Sequence, residues 1–261
     1  MKYQLSVICP GIRTKNWLRL YNSINDAFKY SWEIIFISPY DLPEELKEKD
    51  NIQFIQSWRS PIACQQMALE KVQGVFTTWA ADDGYFLPNS LNIAYDKIFI
   101  DEAIKPHGEF AMKILNEFNT GLAFNNKKLV MGKYYEGNND GDMPMQENKY
   151  YILSNHDATK VKWIPDTYFM LNVGLVPTTL LLEVGGWDAE NFEVCPMSYN
   201  DLAIRLQRYG VKFIIQDEMM FRCSHMPGHE GDHKPIHEAQ INRDQPNFKR
   251  IYWSNNCLHK I

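Results

Sequence analysis

The sequence predicts an α/β protein built on a doubly wound, mostly parallel, Rossmann-like sheet with helices on both faces. Two observations carry this. Over residues 1–90, short β-branched runs alternate with stretches of helical periodicity. The runs also stop at Pro, Gly, Ser or Asp, the residues that turn a chain.

The elements follow in order. Tyr3 to Cys9 (YQLSVIC) reads as a buried strand closed by Pro10-Gly11. Trp17, Leu18, Tyr21, Ile24 and Phe28 recur at helical spacing and predict an amphipathic helix over 15–29. Glu33 to Ile37 forms a second strand that runs into Ser38-Pro39-Tyr40-Asp41, and Ile52 to Ile55 a third. Pro61 to Gln73 predicts a helix closed by Gly74. Val75 to Trp79 is a fourth strand, ending in Ala80-Ala81-Asp82-Asp83-Gly84.

The second half is less regular. Asn138 to Asn148 reads as a polar surface loop, and Leu180 to Val184 as a helix stopped by Gly185-Gly186. Asn200 to Tyr209 predicts a helix ended by Gly210, with strands at Val211 to Ile215 and Met219 to Cys223. The composition, 45% hydrophobic and 23% charged over 261 residues, supports one large domain with a sizeable core.

A net charge of −5 without a Lys/Arg block argues against a nucleic-acid partner. Cys9, Cys64, Cys195, Cys223 and Cys257 are odd in number and contain no C-x-x-C pair, the pattern of a reduced chain. Residues 1–20 lack a charged stretch followed by an apolar one. No apolar run reaches the ~18 residues of a transmembrane helix. A cytoplasmic protein is expected.

In a parallel sheet of this kind, ligands sit outside the carboxyl ends of the strands. Those ends are Pro10 to Arg13, Ser38 to Asp41, Ser57 to Ser60, and Asp82-Asp83. Three spacings meet there in one register. Gln66 lies eight residues before Gly74, Asp83 nine after it, and Pro88 five further on.

This register resembles that of the family 2 glycosyltransferases, where a helix carrying Arg-Asn is followed by Gly, a strand and Asp-x-Asp. A second block is similar too. Asn172-Val173-Gly174 precedes Gly185-Gly186-Trp187-Asp188, which resembles the family's Gly-Gly-Phe-Asp. Asp201-Leu202-x-x-Arg205, five residues before Gly210, resembles its Asp-Leu-x-x-Arg-x-x-x-x-Gly. The two blocks cover most of residues 3–226.

The resemblance implies a single GT-A domain over 1–261. Within it, 1–90 is the nucleotide-sugar-binding half, 91–225 the acceptor-side half, and 226–261 a C-terminal loop and tail. It implies an enzyme that moves a sugar from a nucleotide-diphosphate donor to a hydroxyl acceptor, such as a glycan or lipid-linked saccharide. Mn²⁺ or Mg²⁺ would offset charge on the departing diphosphate. The sequence departs from the family at four places. Ala81 stands for the first Asp of Asp-x-Asp, and Gln65-Gln66 for Arg-Asn. Ser38 stands for the base-recognising Asp, and Ser198-Tyr199 for the Glu-Asp pair that supplies the general base.

Asp83 is then the expected metal ligand, with Asp82 beside it at the donor. Adjacent aspartates before Gly also make a turn unaided, but the register with Gly74 and Pro88 favours the ligand reading. His225, after the last strand, is the second expected ligand. It opens a row with His229, His233 and His237 that Pro227, Gly228, Gly231 and Pro235 interrupt. That segment reads as a mobile loop, with a zinc site including Cys223, or plain surface histidines, as other readings. Pro10, Gly11, Arg13, Ser38, Tyr40, Arg59 and Gln66 are the remaining donor-binding candidates. Arg13 and Arg59 are equally readable as surface arginines. Asp201 or Glu193 must serve as base, unless Asp201 is only a charge in the first turn of a helix. Trp187 and Trp163 read as sugar-stacking platforms or as core. Two other classes compete: a GT-A-like protein that binds without turnover, and a nucleotidyltransferase. The second is weakened because no Gly-rich, Lys-containing loop follows the first strand.

Overall fold

The computed structural model describes residues 1–99, 127–137, 151–153, 171–224 and 231–253. The first part runs β1 (Tyr3–Pro10), α1 (Trp17–Ala27), β2 (Trp32–Ser38), α2 (Glu44–Lys47), β3 (Ile52–Gln56), α3 (Pro61–Leu69), β4 (Gly74–Trp79), β5 (Gly84–Phe86) and α4 (Ser90–Phe99). The second part continues with β6 (Lys128–Gly137), β7 (Tyr151–Leu153), β8 (Gly174–Pro177), α5 (Thr178–Glu183), α6 (Cys195–Arg208) and β9 (Lys212–Ser224). It closes with α7 (Lys234–Ala239) and α8 (Gln245–Trp253), joined by a π-helical turn at Gln240–Asp244.

Among the described residues the strands form one nine-stranded sheet in the order β3-β2-β1-β4-β8-β6-β9-β5, with β7 paired to β6. β3, β2, β1 and β4 are all parallel. β8 runs against β4 and β6, and β9 lies parallel to β6. Only β5, β7 and β8 oppose the common direction, so the sheet is mostly parallel.

Every residue of β2 is buried, as a strand covered on both faces requires. Alternate residues feed two cores. Val7, Ile34 and Phe36 meet Trp17, Leu20 and Ile24 of α1 on one side, where Trp17 stacks on Phe36 at 4.3 Å. Ile8, Ile35 and Ile37 meet Ile62 and Ala68 of α3 and Leu202 and Leu206 of α6 on the other.

Three boundaries differ from expectation. Gly74 opens β4 instead of capping α3, because its amide donates to Ser6 Oγ at 2.8 Å. The two strands expected at 211–223 are one, bent by register shifts against β6 around Lys133. Helix α6 begins at Cys195, ahead of the expected Asn200, with a proline in its first turn, and the segment just before it is held by Asp244. The fully buried Asp244 carboxylate accepts the amides of Glu193 at 3.0 Å and Val194 at 2.9 Å.

The described part of 226–261 is helical, where a loop and tail were expected. Pro235 falls in the first turn of α7, where a missing N–H is tolerated. Phe248 and Tyr252 of α8 pack on Phe192 and Ile204. The loop expected at 138–148 lies outside the described residues. Among those described, no helix is long and apolar enough to cross a membrane.

Asp244→Ala should lower unfolding stability by about 1–3 kcal/mol, the range for leaving buried amides without their charged acceptor. Urea denaturation measures it, and an unchanged midpoint would mean that α6 is not held through this carboxylate.

Candidate functional site

The carboxyl ends of β1 and β4 are joined by one side chain. Asp82 Oδ2 accepts the backbone amides of Ile12 and Arg13, both at 2.7 Å. Asp82 Oδ1 accepts Arg13 Nη1 at 2.6 Å. The Gly11 amide donates to the Ile37 carbonyl at 3.0 Å and ties the same turn to β2. A Cβ on Gly11 would collide with the Asp82 side chain, so glycine is what allows the clamp to close. Pro10, Gly11, Arg13 and Asp82, named separately from the sequence, are thus one structural unit.

Asp83 is buried directly beside it. Its carboxyl is pushed up to about 6 by burial. Arg13 pulls against that rise, the Asp82 charge adds to it, and His233 opposes it. The 3-10 turn Gly231–His233 brings His233 Nε2 to 3.8 Å from Asp83 Oδ2. The same turn sets Asp232 Oδ2 3.5 Å from Arg13 Nε. Sequence reasoning missed Asp232 and His233 as site residues. The signal was the histidine row, which its prolines and glycines disguised as a loop. His225 lies outside the described residues.

Among the described residues, no group of three or more His, Cys, Asp or Glu side chains could hold a metal ion. Asp82 has spent its oxygens on the clamp, which leaves Asp83 and His233 as a pair of donors. Hard divalent cations fill their remaining positions with phosphate oxygens and water. The pair therefore fits a cation that arrives with a diphosphate, and does not fit a resident one.

At the ends of β2 and β3, Ser38 is buried and its Oγ accepts the Tyr40 amide at 3.1 Å. Tyr40 and Arg59 are exposed on the two loops.

Several sequence assignments change. Gln66 Oε1 accepts the Trp187 amide at 2.7 Å, and its Nε2 donates to the Gly185 carbonyl at 3.2 Å. Both ends of this amide hold the Gly185-Gly186-Trp187 turn, so Gln66 positions α6 and does not meet the donor. Asp201 is not available as a base. Its Oδ2 takes Arg205 Nε at 2.9 Å and Nη2 at 2.7 Å, and its Oδ1 takes the Tyr252 hydroxyl at 2.6 Å. Burial raises its pKa, while Arg205 and Tyr252 pull it back. Arg205 then spans to the carbonyls of Val184 at 2.6 Å and Gly186 at 2.7 Å. The Glu193 carboxylate pairs with Arg243. Trp187 is buried edge-on to Trp79 at 5.3 Å, so it is core and not a sugar platform. Trp163 lies outside the described residues. Two departures from the family pattern meet each other, since Gln65 Nε2 donates to the Tyr199 hydroxyl at 2.7 Å.

No family model matches the sequence, and no curated protein does. Solved structures match the fold. A crystal structure of S. aureus TarS 1-349 in complex with UDP-GlcNAc superposes with TM-score 0.53 at 15% identity, over 89% of this chain and 60% of that one. The fold is GT-A. A second crystal structure of S. aureus TarS gives TM-score 0.53 at 14% identity, over 92% of this chain and 40% of that one. A further crystal structure of S. aureus TarS 1-349 gives TM-score 0.51 at 14% identity, over 85% of this chain and 60% of that one. The chain therefore spans 40–60% of the length of these neighbours. The Asp82 clamp and Asp83 lie at the carboxyl ends of β1 and β4 in this fold.

The folded pKa of Asp83, about 6, lies above its unfolded value of 3.8. The folded state therefore holds the proton more tightly between these pH values, and stability falls as pH rises through that window. Asp83→Asn should then be more stable than the parent by about 1–3 kcal/mol at pH 7.5, with the gain vanishing near pH 4. Thermal melts in EDTA across pH 4–8 measure this. An equal gap at both ends, or a less stable variant at pH 7.5, contradicts the burial of a charged Asp83.

Proposed function

We propose that the protein is a glycosyltransferase that moves a sugar from a nucleotide-diphosphate donor to a hydroxyl acceptor, as a hexosyltransferase acting on a glycan or lipid-linked saccharide. The observation that carries this is the Asp82-clamped turn with Asp83 beside it, set at the strand ends of a GT-A fold whose neighbour TarS is described with UDP-GlcNAc. A cytoplasmic setting belongs to the same reading, supported by Cys9, Cys64 and Cys195, which form no disulfide.

The chain's own residues divide the work. Asp82 shapes the turn and aims Arg13, whose charge meets the donor phosphates. Asp83 and His233 would hold a divalent cation, Mn²⁺ or Mg²⁺, carried in by the diphosphate. When bound, it would neutralise charge on the leaving diphosphate. The Asp201–Arg205 pair fixes α6, the helix that faces the acceptor side.

A second reading, binding of sugar nucleotide or glycan without turnover, is favoured by one observation. Both carboxylates expected to act as base are committed elsewhere.

A panel of nucleotide sugars that includes UDP-GlcNAc, with Mn²⁺ and with EDTA, separates the readings. Binding and release of nucleoside diphosphate should both require the cation, and Asp83→Ala should weaken donor binding about tenfold or more. Binding without release supports the second reading. No binding of any nucleotide sugar contradicts both.

A further inference from the structure

Helix α1 and strand β5 leave a cleft of about 580 Å³ between them, within the roughly 300–1,000 Å³ of small-molecule sites. One wall is the outward stripe of α1, where Leu18, Asn22 and Asp26 follow one another a turn apart. Lys15, in the 3-10 turn ahead of α1, heads that stripe. The other wall is Tyr85 of β5, two residues after Asp83.

The walls are joined about once per turn of α1. Arg19 Nη2 donates to the Asp83 carbonyl at 3.2 Å. The Phe86 amide donates to Ser23 Oγ at 3.1 Å, and the Asn89 amide to the Asp26 carbonyl at 2.9 Å. The guanidinium groups of Arg19 and Arg222 lie over the Tyr85 ring, 5.2 and 5.9 Å from its centroid, and hold it in place. Because Arg19 also holds Asp83, one end of the cleft adjoins the donor site. Leu18 is 37% exposed within it. Among the described residues, the Lys15 ammonium, the Asn22 amide, the Asp26 carboxylate and the Tyr85 hydroxyl make no hydrogen bond or ion pair.

We propose that this cleft holds a neutral saccharide chain, the trailing units of the acceptor, with the reacting end toward Asp83. This rests on the glycosyltransferase reading above. The chemistry of the walls selects the occupant. A sugar ring has apolar C–H faces for Leu18 and Tyr85, and hydroxyls that both donate and accept. Those hydroxyls satisfy an ammonium, an amide, a carboxylate and a phenol together. A purely apolar chain would bury the same four groups without partners, at a cost of about 1–3 kcal/mol for each. A polyanion would lie against the Asp26 carboxylate. From Lys15 to Asp26 the α1 wall runs roughly 16 Å, room for more than one ring. The acceptor chain is then read partly by residues 1–90, where the sequence predicts donor contacts.

NMR titration of the full chain tests the cleft, with cellopentaose, chitopentaose, maltopentaose and mannopentaose as probes and UDP with Mg²⁺ as the control. Asn22→Ala combined with Asp26→Ala should weaken the tightest pentasaccharide by about tenfold or more. Both positions are exposed, and alanine favours the helix, so the fold is kept. Tyr85→Phe, which removes only the hydroxyl, should weaken it roughly 2- to 10-fold. UDP should bind the parent and both variants alike. Parent-like saccharide affinity in the double variant overturns the cleft. An equal loss of UDP overturns it too, because the change would then act through the Asp83 turn. If UDP binds the parent and none of the four pentasaccharides does, the cleft is overturned and the glycosyltransferase reading stands. If neither class of probe binds the parent, the reading and the cleft fall together.

Discussion

One carboxylate, Asp82, holds the end of β4 against the first turn of the chain, and the rest of the site is arranged by that contact. Three charge-assisted hydrogen bonds of 2.6–2.7 Å draw the amides of Ile12 and Arg13 and the Arg13 guanidinium onto it. The contact demands glycine at position 11. It also sets Arg13 at the mouth of the crevice and leaves Asp83, the next residue, buried beside a second negative charge. The raised pKa of Asp83 follows from that placement. A group held in a disfavoured charge state gains from any cation that can reach it. Within the chain Arg13 acts on it in this sense, and His233 Nε2 stands 3.8 Å from its Oδ2.

Away from the crevice, buried carboxylates do architectural work. Asp201 and Arg205 form a pair that reaches the Gly185-Gly186 turn and, through Tyr252, helix α8. Asp244 holds the amides of Glu193 and Val194, just ahead of α6. Breaking one partner of such a buried pair leaves an uncompensated charge and is strongly destabilising. Changing Asp201 would therefore disturb the folding of the α6 region first. The C-terminal helices are part of the same device, since they carry Asp244 and Tyr252 to α6, and their leading turn carries Asp232 and His233 to the site.

How much was legible in the sequence depended on what decides each feature. The four parallel strands and α1 were legible because periodicity and turn residues report burial, and burial is what builds them. The register of Gln66, Gly74, Asp83 and Pro88 located the crevice, because spacing along a strand and helix fixes where a residue sits. Spacing says nothing of which groups a side chain's hydrogen bonds already engage. Gln66 was therefore read as a donor contact when Trp187 and Gly185 occupy it. Asp201 was read as a base when Tyr252 and Arg205 close it. The segment around His233 failed for a different reason. Gly231 and Pro235 look like breakers, yet at the head of a helix they are permitted, and the anchors Phe248 and Tyr252 lie well downstream.

The central claim is that Asp82 shapes the turn that receives the donor phosphates. The most direct measurement is the UDP affinity of Asp82→Ala in the presence of Mg²⁺, with hydrogen exchange of β1 and β4 followed in the same sample. The account predicts an affinity loss of more than about tenfold, faster exchange at Ile12 and Arg13, and protected strands. Parent-like affinity in a protein whose Ile12 and Arg13 amides exchange freely would contradict it.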